Sequence, residues 1–459
     1  MKSISQLTLQ DFLQHPLSCR CGRTHATAIK TVRIGSGALQ DAPEIVRQLG
    51  WQRVFIIADI NTYAAAGQAL HRQLTAAGIH CSELVFTDPD LVPDERAVGS
   101  IVMRFDSKSD GIIAVGAGTI NDISRFISFR LGLPYVIVAT APSMDGYAST
   151  VAPLITNNLK TTYEANMPQA IIADLDVLAK APQDMIAAGF ADILGKYTCL
   201  VDWKLSSIIT GEYYCETVAE MMRTALERTT ALQDKLAHRD KEALHKLMEA
   251  LVLAGVAMSY VGNSRPASGS EHHLSHFWEM RYLFQGKKPV LHGTKVGIAC
   301  RLILKLYDYL RAESLTAEHL RMLPVEFDYP AWEQEIIRAY GKAAPEVLQL
   351  EQKAHKNRPD QRHQRLLASA EHWAEIQDAI QNMPSAKDLA ARLESVKGAA
   401  FPHEVGLTAE DLWDGIVYGK ELRARYTILQ LLWDLGLLHK YADRLAREEF
   451  PTSAAAASR

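Results

Sequence analysis

The sequence predicts an α/β protein with an N-terminal doubly wound, mostly parallel sheet domain and a C-terminal all-helical domain. In the first third of the 459 residues, short and continuous apolar runs alternate with segments of helical periodicity. Continuous apolar runs are typical of parallel strands that are covered on both faces. Farther along, the runs give way to long segments in which apolar residues recur with helical spacing. We therefore expect domains at 1–175 and 176–450, followed by a disordered, alanine-rich tail at 451–459.

The strands and helices of the first domain follow one another in a regular order. Each predicted strand is a continuous apolar run, and each predicted helix has apolar residues at three- and four-residue spacing. We expect strands at 53–58, 81–86, 111–115, 135–139 and 170–174, and helices at 64–77, 95–106 and 121–130. The alternation of strand and helix favours a parallel sheet with helices on both of its faces.

The second half of the chain reads as helices only. They are expected at 182–204, 217–232, 241–261, 269–282, 295–311 and 411–435, and Pro182 fits the first turn of its helix. The charged and His-rich segment 353–365 is expected to be a solvated helix or loop. The most apolar segment, 247–261, is short and interrupted by polar residues, so we interpret it as a buried helix rather than a membrane span.

Composition excludes several classes of protein. The chain has 49 Lys and Arg against 53 Asp and Glu, a formal net charge of −4. A slightly acidic balance lacks the positive field with which proteins bind nucleic acid, and it disfavours a basic membrane-surface protein. The first ten residues have no apolar core of a signal peptide, and six cysteines are too sparse for a disulfide scaffold. We expect a cytoplasmic protein with no nucleic-acid partner and no membrane insertion.

Cys19, Cys21 and His25 place three potential soft metal ligands within seven residues. Zinc sites usually have two or more residues between their cysteines, so the spacing fits such a site poorly. A metal site and a surface turn without a metal are both open, and the turn is the favoured interpretation.

A glycine-containing turn between a predicted strand and helix is the first candidate site. Gly116, Ala117, Gly118 and Thr119 are small residues that let a phosphate approach the backbone N–H groups at the helix start. A turn that binds nothing is the alternative, since the complete dinucleotide motif has a third glycine. Asp59, at the end of an upstream strand, is suited to a ribose hydroxyl or to capping a helix. Together these features favour a dinucleotide.

Acidic and histidine residues in the helical half form the second candidate site. Asp192 and Lys196 are four residues apart, which places them on one face of a predicted helix, and His272 and His276 are four apart on another. His292 begins a further helix. One carboxylate and two neutral imidazoles are a ligand set that leaves a metal open to a substrate oxygen. Buried, hydrogen-bonded histidines and an exposed ion pair are the alternative.

The segment 140–149, with sequence TAPSMDGYAS, directly follows a predicted strand. Ligands of open α/β sheets lie at the carboxyl ends of the strands. Its hydroxyl groups, Asp145 and Gly146 are therefore candidates for contact with a phosphate or a polyol. A loop that is rich in side-chain-to-backbone turns is the alternative.

Five segments, taken in order, resemble one family. They are GAGTIND from Gly116, TAPSMDGYAS from Thr140, GFADILGKYT from Gly189, NSRPASGSEHHLSH from Asn263 and LHGTKVG from Leu291. The chain resembles the sn-glycerol-1-phosphate dehydrogenases of the dehydroquinate synthase and iron-containing alcohol dehydrogenase superfamily. The bacterial type is most similar, since it also has a Cys-x-Cys-Gly-x-x-His segment and stretches like 402–407 and 425–429. Ala117 departs from the middle glycine of many superfamily members, and we expect it only to tighten the loop.

The resemblance implies a dehydroquinate synthase-like fold and a homodimer that reversibly reduces dihydroxyacetone phosphate to sn-glycerol 1-phosphate. It implies NAD(H) or NADP(H) as cofactor and one divalent metal, zinc or nickel, in each subunit. By similarity Asp192, His272 and His292 bind the metal, and Asp145, Asp192 and His276 contact the substrate. Asp145, His276 and Lys196 are the candidate catalytic residues. The implied cofactor contacts are Asp59, Gly116, Ala117, Gly118, Thr119, Ile120, Thr140, Ser143 and Ser149.

Two alternatives stay open at this point. A polyol dehydrogenase that acts on unphosphorylated glycerol would use the same metal and cofactor. Cations near the site would distinguish an enzyme for the phosphorylated substrate from one for glycerol. Arg265, Lys196 and Lys295 are the candidates to receive a phosphate. Otherwise these cations only balance neighbouring acidic groups. The other alternative is a nucleotide-binding sensor without activity, which requires the loss of a metal ligand. No ligand of the implied set is lost.

Overall fold

The computed structural model describes residues 4–14, 16–88, 90–157 and 159–451, so 452–459 of the predicted tail lie outside the described residues. The chain folds into two compact units of three segments each. Unit 1 comprises Met1–Ile193, Glu216–Ser264 and Ser395–Lys397, and unit 2 comprises Leu194–Cys215, Arg265–Glu394 and Gly398–Arg459. The units are therefore not divided at residue 175, because helices from the middle of the chain pack with the N-terminal sheet.

The strands of unit 1 form one large sheet and two small antiparallel hairpins. In chain order they are β1 (Leu17–Ser18), β2 (Thr24–His25), β3 (Thr31–Gly35), β4 (Arg53–Asp59), β5 (His80–Phe86), β6 (Gly111–Gly116), β7 (Tyr135–Ala139), β8 (Val151–Thr156), β9 (Leu159–Glu164) and β10 (Ala170–Asp174). Six of them form a fully parallel sheet in the order β3-β10-β7-β6-β4-β5. The predicted doubly wound parallel sheet is confirmed. Strand β3 and the hairpins β1–β2 and β8–β9 are additions to the predicted elements.

The order in which the chain adds strands to the sheet reverses between β4 and β6. From β4 the chain proceeds outward to β5, whereas β6, β7 and β10 follow on the other side of β4. Every residue of β6, β7 and β10 is buried, as their continuous apolar runs predict. The carboxyl ends of β4 and β6 are neighbours, because Ala58 pairs with Val115. In open α/β sheets such a reversal point opens the crevice that binds a ligand.

The helices that begin in unit 1 cover the sheet and close its core. They are Leu9–Gln14, Ala42–Gln48, Ile60–Thr62, Gln68–Ala76, Glu95–Arg104, Gly118–Leu131, Leu175–Leu178, Gln183–Leu194, Glu216–Thr230, Gln233–Leu236 and Lys241–Val261. Helix Lys241–Val261 is long and apolar enough to cross a membrane by composition alone, yet 78% of its most apolar window is buried. It packs so tightly that a Cβ on Gly255 would lie 2.4 Å from Cβ of Ala148. This packing is that of a core helix, as predicted.

Helices are the only regular secondary structure in the described part of unit 2, which confirms the predicted helical C-terminal region. Its helices are Lys196–Thr210, Ser270–Phe284, His292–Arg311, Ala317–Arg321, Tyr329–Tyr340, Ala344–Ala354, Pro359–Glu371, Trp373–Gln381, Ala386–Ser395, Ala409–Tyr418, Ile428–Asp434 and Leu438–Glu449. Two predicted long helices are wrong in detail. The one over 182–204 is interrupted at Gly195, and the one over 411–435 is interrupted between Tyr418 and Ile428.

Candidate functional site

The turn after β6 leaves room for an anion to approach the backbone closely. A Cβ on Gly116 would lie 2.6 Å from Cβ of Ile120, so only glycine fits there. Helix Gly118–Leu131 begins directly after the turn and has no side-chain cap at its N-terminus. The first N–H groups of a helix lack intrahelical partners and favour an anion. The space around Gly118 is open, since the nearest described atom to a Cβ placed there is Cγ of Met144, at 3.8 Å.

Asp59 ends β4, beside this turn. Its Oδ1 accepts hydrogen bonds from the N–H groups of Asn61 and Thr62, at 2.8 and 2.9 Å, so it caps the following short helix. The capping alternative is therefore observed. Its other oxygen, Oδ2, accepts no hydrogen bond within the described residues. A contact of that oxygen with a ribose stays a prediction.

The segment 140–149 lies next to the turn in unit 1. The N–H of Thr140 donates to the carbonyl oxygen of Gly116 at 3.1 Å. Its candidate ligand residues are all buried, namely Thr140, Ser143, Asp145 and Ser149. The Arg125 guanidinium anchors the segment by donating to the carbonyl oxygen of Gly146 at 2.5 Å, and it also donates to that of Val151, the first residue of β8, at 3.1 Å. Sequence reasoning missed Arg125, because its helix contains several other polar and charged residues that hide it.

Asp192 is fastened to the same segment. It is fully buried on helix Gln183–Leu194, and its Oδ2 accepts the N–H of Asp145 at 2.9 Å. Three residues earlier on this helix, Gly189 touches the segment: a Cβ there would lie 1.8 Å from the carbonyl oxygen of Pro142. Unit 1 thus brings Asp145 and Asp192 together, and their contact with a substrate stays a prediction. Because the helix ends before Gly195, the prediction that Asp192 and Lys196 share one face of one helix is wrong.

Three predicted histidines form a cluster in unit 2. His272 and His276 lie one turn apart on helix Ser270–Phe284, and His292 is the first residue of helix His292–Arg311. Their ring centroids are 6.1 Å apart for His272 and His276, 5.2 Å for His272 and His292, and 5.6 Å for His276 and His292. One potential ligand atom each of His276, His292 and Glu279 lies within 4.8 Å of the others. The i, i+4 interpretation of the two histidines is confirmed.

Glu271 fixes the orientation of the His272 ring. Its carboxylate lies 2.7 Å from Nδ1 of His272 and also accepts the hydroxyl of Thr198 at 2.6 Å and the N–H of Gly269 at 2.7 Å. Burial raises the pKa of Glu271, but these hydrogen bonds outweigh it and hold the pKa below its ordinary value. A carboxylate that accepts the Nδ1 proton leaves Nε2 of His272 with its lone pair, which is how proteins prepare histidine ligands. Sequence reasoning missed Glu271, although it directly precedes His272.

The three predicted phosphate-binding cations have different surroundings. Lys295 is near the cluster, with its Nζ 3.8 Å from Oε1 of Glu279. The Lys196 ammonium is buried and donates to the carbonyl oxygen of Ala267 at 3.1 Å. Arg265 is paired with Glu212, to which its Nε donates at 2.9 Å. Arg265 therefore already has a carboxylate partner, which opposes its prediction as the phosphate ligand.

Two further arginines of unit 2 lie in a field of positive charge. Burial, together with Arg423 and Arg265, lowers the pKa of Arg425 to about 9, and burial lowers the pKa of Arg423 as well. The same cations act on His273, whose pKa burial and Arg423 lower well below its ordinary value. Within the described residues the Arg423 side chain has no ion pair. A bound anion would relieve this accumulation of charge.

The chain is similar in sequence and in structure to several known proteins. Residues 33–182 match the family model described as iron-containing alcohol dehydrogenase. A glycerol-1-phosphate dehydrogenase (NAD(P)+) of Halalkalibacterium halodurans is 36% identical over 419 residues, 90% of this chain and 95% of that protein. One of Geobacillus thermodenitrificans is 33% identical over 87% of this chain and 91% of that protein. Among solved structures, glycerol dehydrogenase of Schizosaccharomyces pombe is similar with a TM-score of 0.59 at 17% identity, covering 92% of each chain.

Proposed function

The chain belongs to the family of the NAD(P)-dependent glycerol-1-phosphate dehydrogenases, and from this we infer that it reversibly reduces dihydroxyacetone phosphate to sn-glycerol 1-phosphate. The observation that carries the inference is the extent of the match, 36% identity over 90% of this chain and 95% of a relative with that activity in its name. The chain is thus an oxidoreductase that uses a nicotinamide cofactor. The site residues below, the identity of the metal and the assembly are proposals.

We propose that Asp192, His272 and His292 hold the metal, with zinc or nickel as the ion. The chemistry of the donors fits: the buried Asp192 offers a carboxylate, and the His272 ring is turned by Glu271 so that its Nε2 lone pair is available. When bound, the metal supplies a Lewis acid that polarises the substrate carbonyl. His292 adds a second imidazole from the start of its own helix.

The remaining chemistry is proton transfer and positioning by this chain's own residues. His276 has Nδ1 3.5 Å from Oε2 of Glu279. We propose that its Nε2 gives a proton to the substrate oxygen during reduction and takes it back in the reverse direction. Asp145, whose backbone is tied to Asp192, is proposed to orient a substrate hydroxyl. For Lys196 we propose a positioning role, since its ammonium is bound to the carbonyl oxygen of Ala267.

We propose that the cofactor lies beside the carboxyl ends of β4 and β6, where the strand order reverses. Its pyrophosphate would meet the N–H groups at the start of helix Gly118–Leu131, and its adenosine ribose would meet Oδ2 of Asp59. The hydroxyl groups of Thr140, Ser143 and Ser149, on the adjoining segment, are proposed to line the nicotinamide end. All of these residues belong to unit 1.

A homodimer in the cytoplasm is proposed as well, as the family resemblance suggests. Light scattering of the purified chain measures the assembly directly.

Replacing Gly118 by Val is expected to raise the KM for NADH and NADPH about tenfold, which corresponds to about 1.4 kcal/mol. The larger side chain would fill the open space over the turn, while within the protein a Cβ meets only Met144 at 3.8 Å. Gly118→Ala, which adds the Cβ alone, is the matched control and should change KM less. Steady-state kinetics with both cofactors measure the effect. Unchanged KM values in Gly118→Val would exclude the turn as the phosphate site.

The substrate assignment is tested by measuring NADH and NADPH oxidation by the metal-loaded enzyme with dihydroxyacetone phosphate beside dihydroxyacetone. Charge-assisted hydrogen bonds to the phosphate, worth about 1.5–3 kcal/mol, predict a kcat/KM that is roughly ten- to a hundredfold higher for the phosphorylated ketone. Equal efficiency on both ketones would instead support the polyol dehydrogenase.

The same assay identifies the phosphate ligand. Arg423→Ala is expected to remove most of the preference for the phosphorylated ketone, because Arg423 carries a charge without an ion pair among the described residues. Arg265→Ala is expected to lower stability and to reduce turnover of both ketones alike, because it breaks the pair with Glu212. Arg358→Ala, an exposed arginine paired with Asp360, is the control and should change neither. A preference that survives Arg423→Ala and disappears in Arg265→Ala would reverse the two roles.

A further inference from the structure

The N-terminal cysteines lie in a fixed turn. Strands β1 and β2 pair antiparallel, and the turn between them is closed by the N–H of Cys19, which donates to the carbonyl oxygen of Arg23 at 3.0 Å. Gly22 donates its N–H to the carbonyl oxygen of Cys19 at 3.1 Å and has φ +83°, a conformation that favours glycine. The Cys-Arg-Cys-Gly segment is therefore a rigid hairpin end. This geometry brings two cysteines together despite the single residue between them.

His25, at the end of β2, is prepared as a ligand. Its ring is buried at 1% exposure and stacks on Tyr260 at 5.2 Å. Its Nδ1 lies 3.0 Å from the carbonyl oxygen of Tyr260, an acceptor only, so Nδ1 carries the proton. The lone pair is then on Nε2, which lies 3.4 Å from Sγ of Cys21. Two such donors on one tetrahedral zinc would be about 3.6 Å apart, close to the observed distance.

A third cysteine reaches the same place from the middle of the chain. Sγ of Cys19 lies 3.2 Å from Oγ1 of Thr217. Cys215 is two residues before Thr217, and two residues span at most about 7 Å of chain. Cys215 is buried, and because it directly precedes the segment that contains Thr217, the chain keeps its thiol within reach of the hairpin. Three thiols and one imidazole are a donor set of structural zinc sites.

We propose that Cys19, Cys21, His25 and Cys215 bind one zinc ion that fastens the N-terminal hairpin to the chain around Thr217. With four protein ligands the ion has no open position for a substrate, so its role is structural and independent of the dehydrogenase metal. Binding requires the thiolates, so the ion enters as the thiols lose their protons.

The proposal predicts a metal count for the purified full-length chain. Mass spectrometric metal analysis should find two ions per chain in the wild type and one in Cys21→Ser, with the remaining ion still lost on the further change His272→Ala. Cys81→Ser, which alters a cysteine on strand β5, is the control and should keep both ions. If Cys21→Ser binds as much metal as the wild type, the proposal is wrong.

Two measurements on the wild type avoid any dependence on the folding of a variant. Titration with a thiol-specific mercurial should release one zinc ion per chain, detected with a zinc-sensitive dye, in step with reaction of three thiols. Cobalt substitution should produce a thiolate-to-cobalt charge-transfer band, which the oxygen and nitrogen donors of the dehydrogenase site do not give. Absence of the band and of zinc release, or a disulfide between these cysteines in the reduced and freshly purified protein, overturns the proposal.

Discussion

His272→Ala is expected to remove one metal ion per chain and to lower kcat/KM about a thousandfold or more while the protein stays folded. A Lewis acid contributes several kcal/mol to carbonyl reduction, and about 4 kcal/mol corresponds to about a thousandfold in rate. The fold should survive because Glu271, which loses its partner, keeps the hydrogen bonds from Thr198 and Gly269. Metal analysis, steady-state kinetics and a thermal unfolding scan measure the three effects. A variant rather than a chelator is needed, because a chelator would also remove the zinc ion that we propose for the N-terminal hairpin.

His273→Ala is the matched control for this experiment. His273 follows His272 on the same helix and is equally buried, but both of its ring nitrogens lack a hydrogen-bond partner within the described residues. We expect it to keep its metal and most of its turnover. Retention of metal and turnover in His272→Ala, or equal losses in the two variants, would refute the ligand assignment.

Gly189→Ala is expected to lower kcat/KM about a hundredfold and to destabilise the protein by about 1–3 kcal/mol. The added Cβ would lie 1.8 Å from the carbonyl oxygen of Pro142, a backbone atom that cannot move aside as a side chain can. Helix Gln183–Leu194 and the segment 140–149 must therefore separate. The hydrogen bond from the N–H of Asp145 to Asp192 then lengthens, and two proposed active-site carboxylates lose their mutual placement.

Gly99→Ala is the control, because it makes the same chemical change in helix Glu95–Arg104, where a Cβ meets nothing within 4 Å. Alanine has the higher helix propensity, so this variant should be as stable as the wild type or more so. Kinetics and thermal unfolding of the two variants give the comparison. Wild-type kinetics in Gly189→Ala would show that the two carboxylates need not be held together.

The predicted fold is most accurate where local pattern and burial agree. Strands β6, β7 and β10 are buried throughout, so their continuous apolar runs identify them. The missed strand β3 lies at an edge of the sheet and alternates polar with apolar residues, a weaker signal in five residues. The break at Gly195 was also missed, because that residue keeps a helical conformation and the apolar periodicity continues through it.

The candidate site was predictable where residues share one helix or one motif. His272 and His276 meet because four residues make about one turn. The partners that orient and hold these groups come from distant positions: Thr198 bonds Glu271 across 73 residues, and Arg265 pairs with Glu212 across 53. A single sequence contains no sign of such long-range pairing. The roles of Arg125, Glu271 and Arg265 therefore became visible only with the fold.

The division of each unit into three chain segments has a consequence for biosynthesis. While the ribosome is still making residues before 241, the N-terminal sheet lacks helix Lys241–Val261, which belongs to the same unit. The nascent sheet therefore leaves the tunnel with uncovered apolar surface, the state in which growing chains aggregate or recruit chaperones. A fragment cut at residue 175 would remain in that state permanently. Expression of this enzyme in halves should fail, whereas slowing translation beyond Val261 should not harm the sheet.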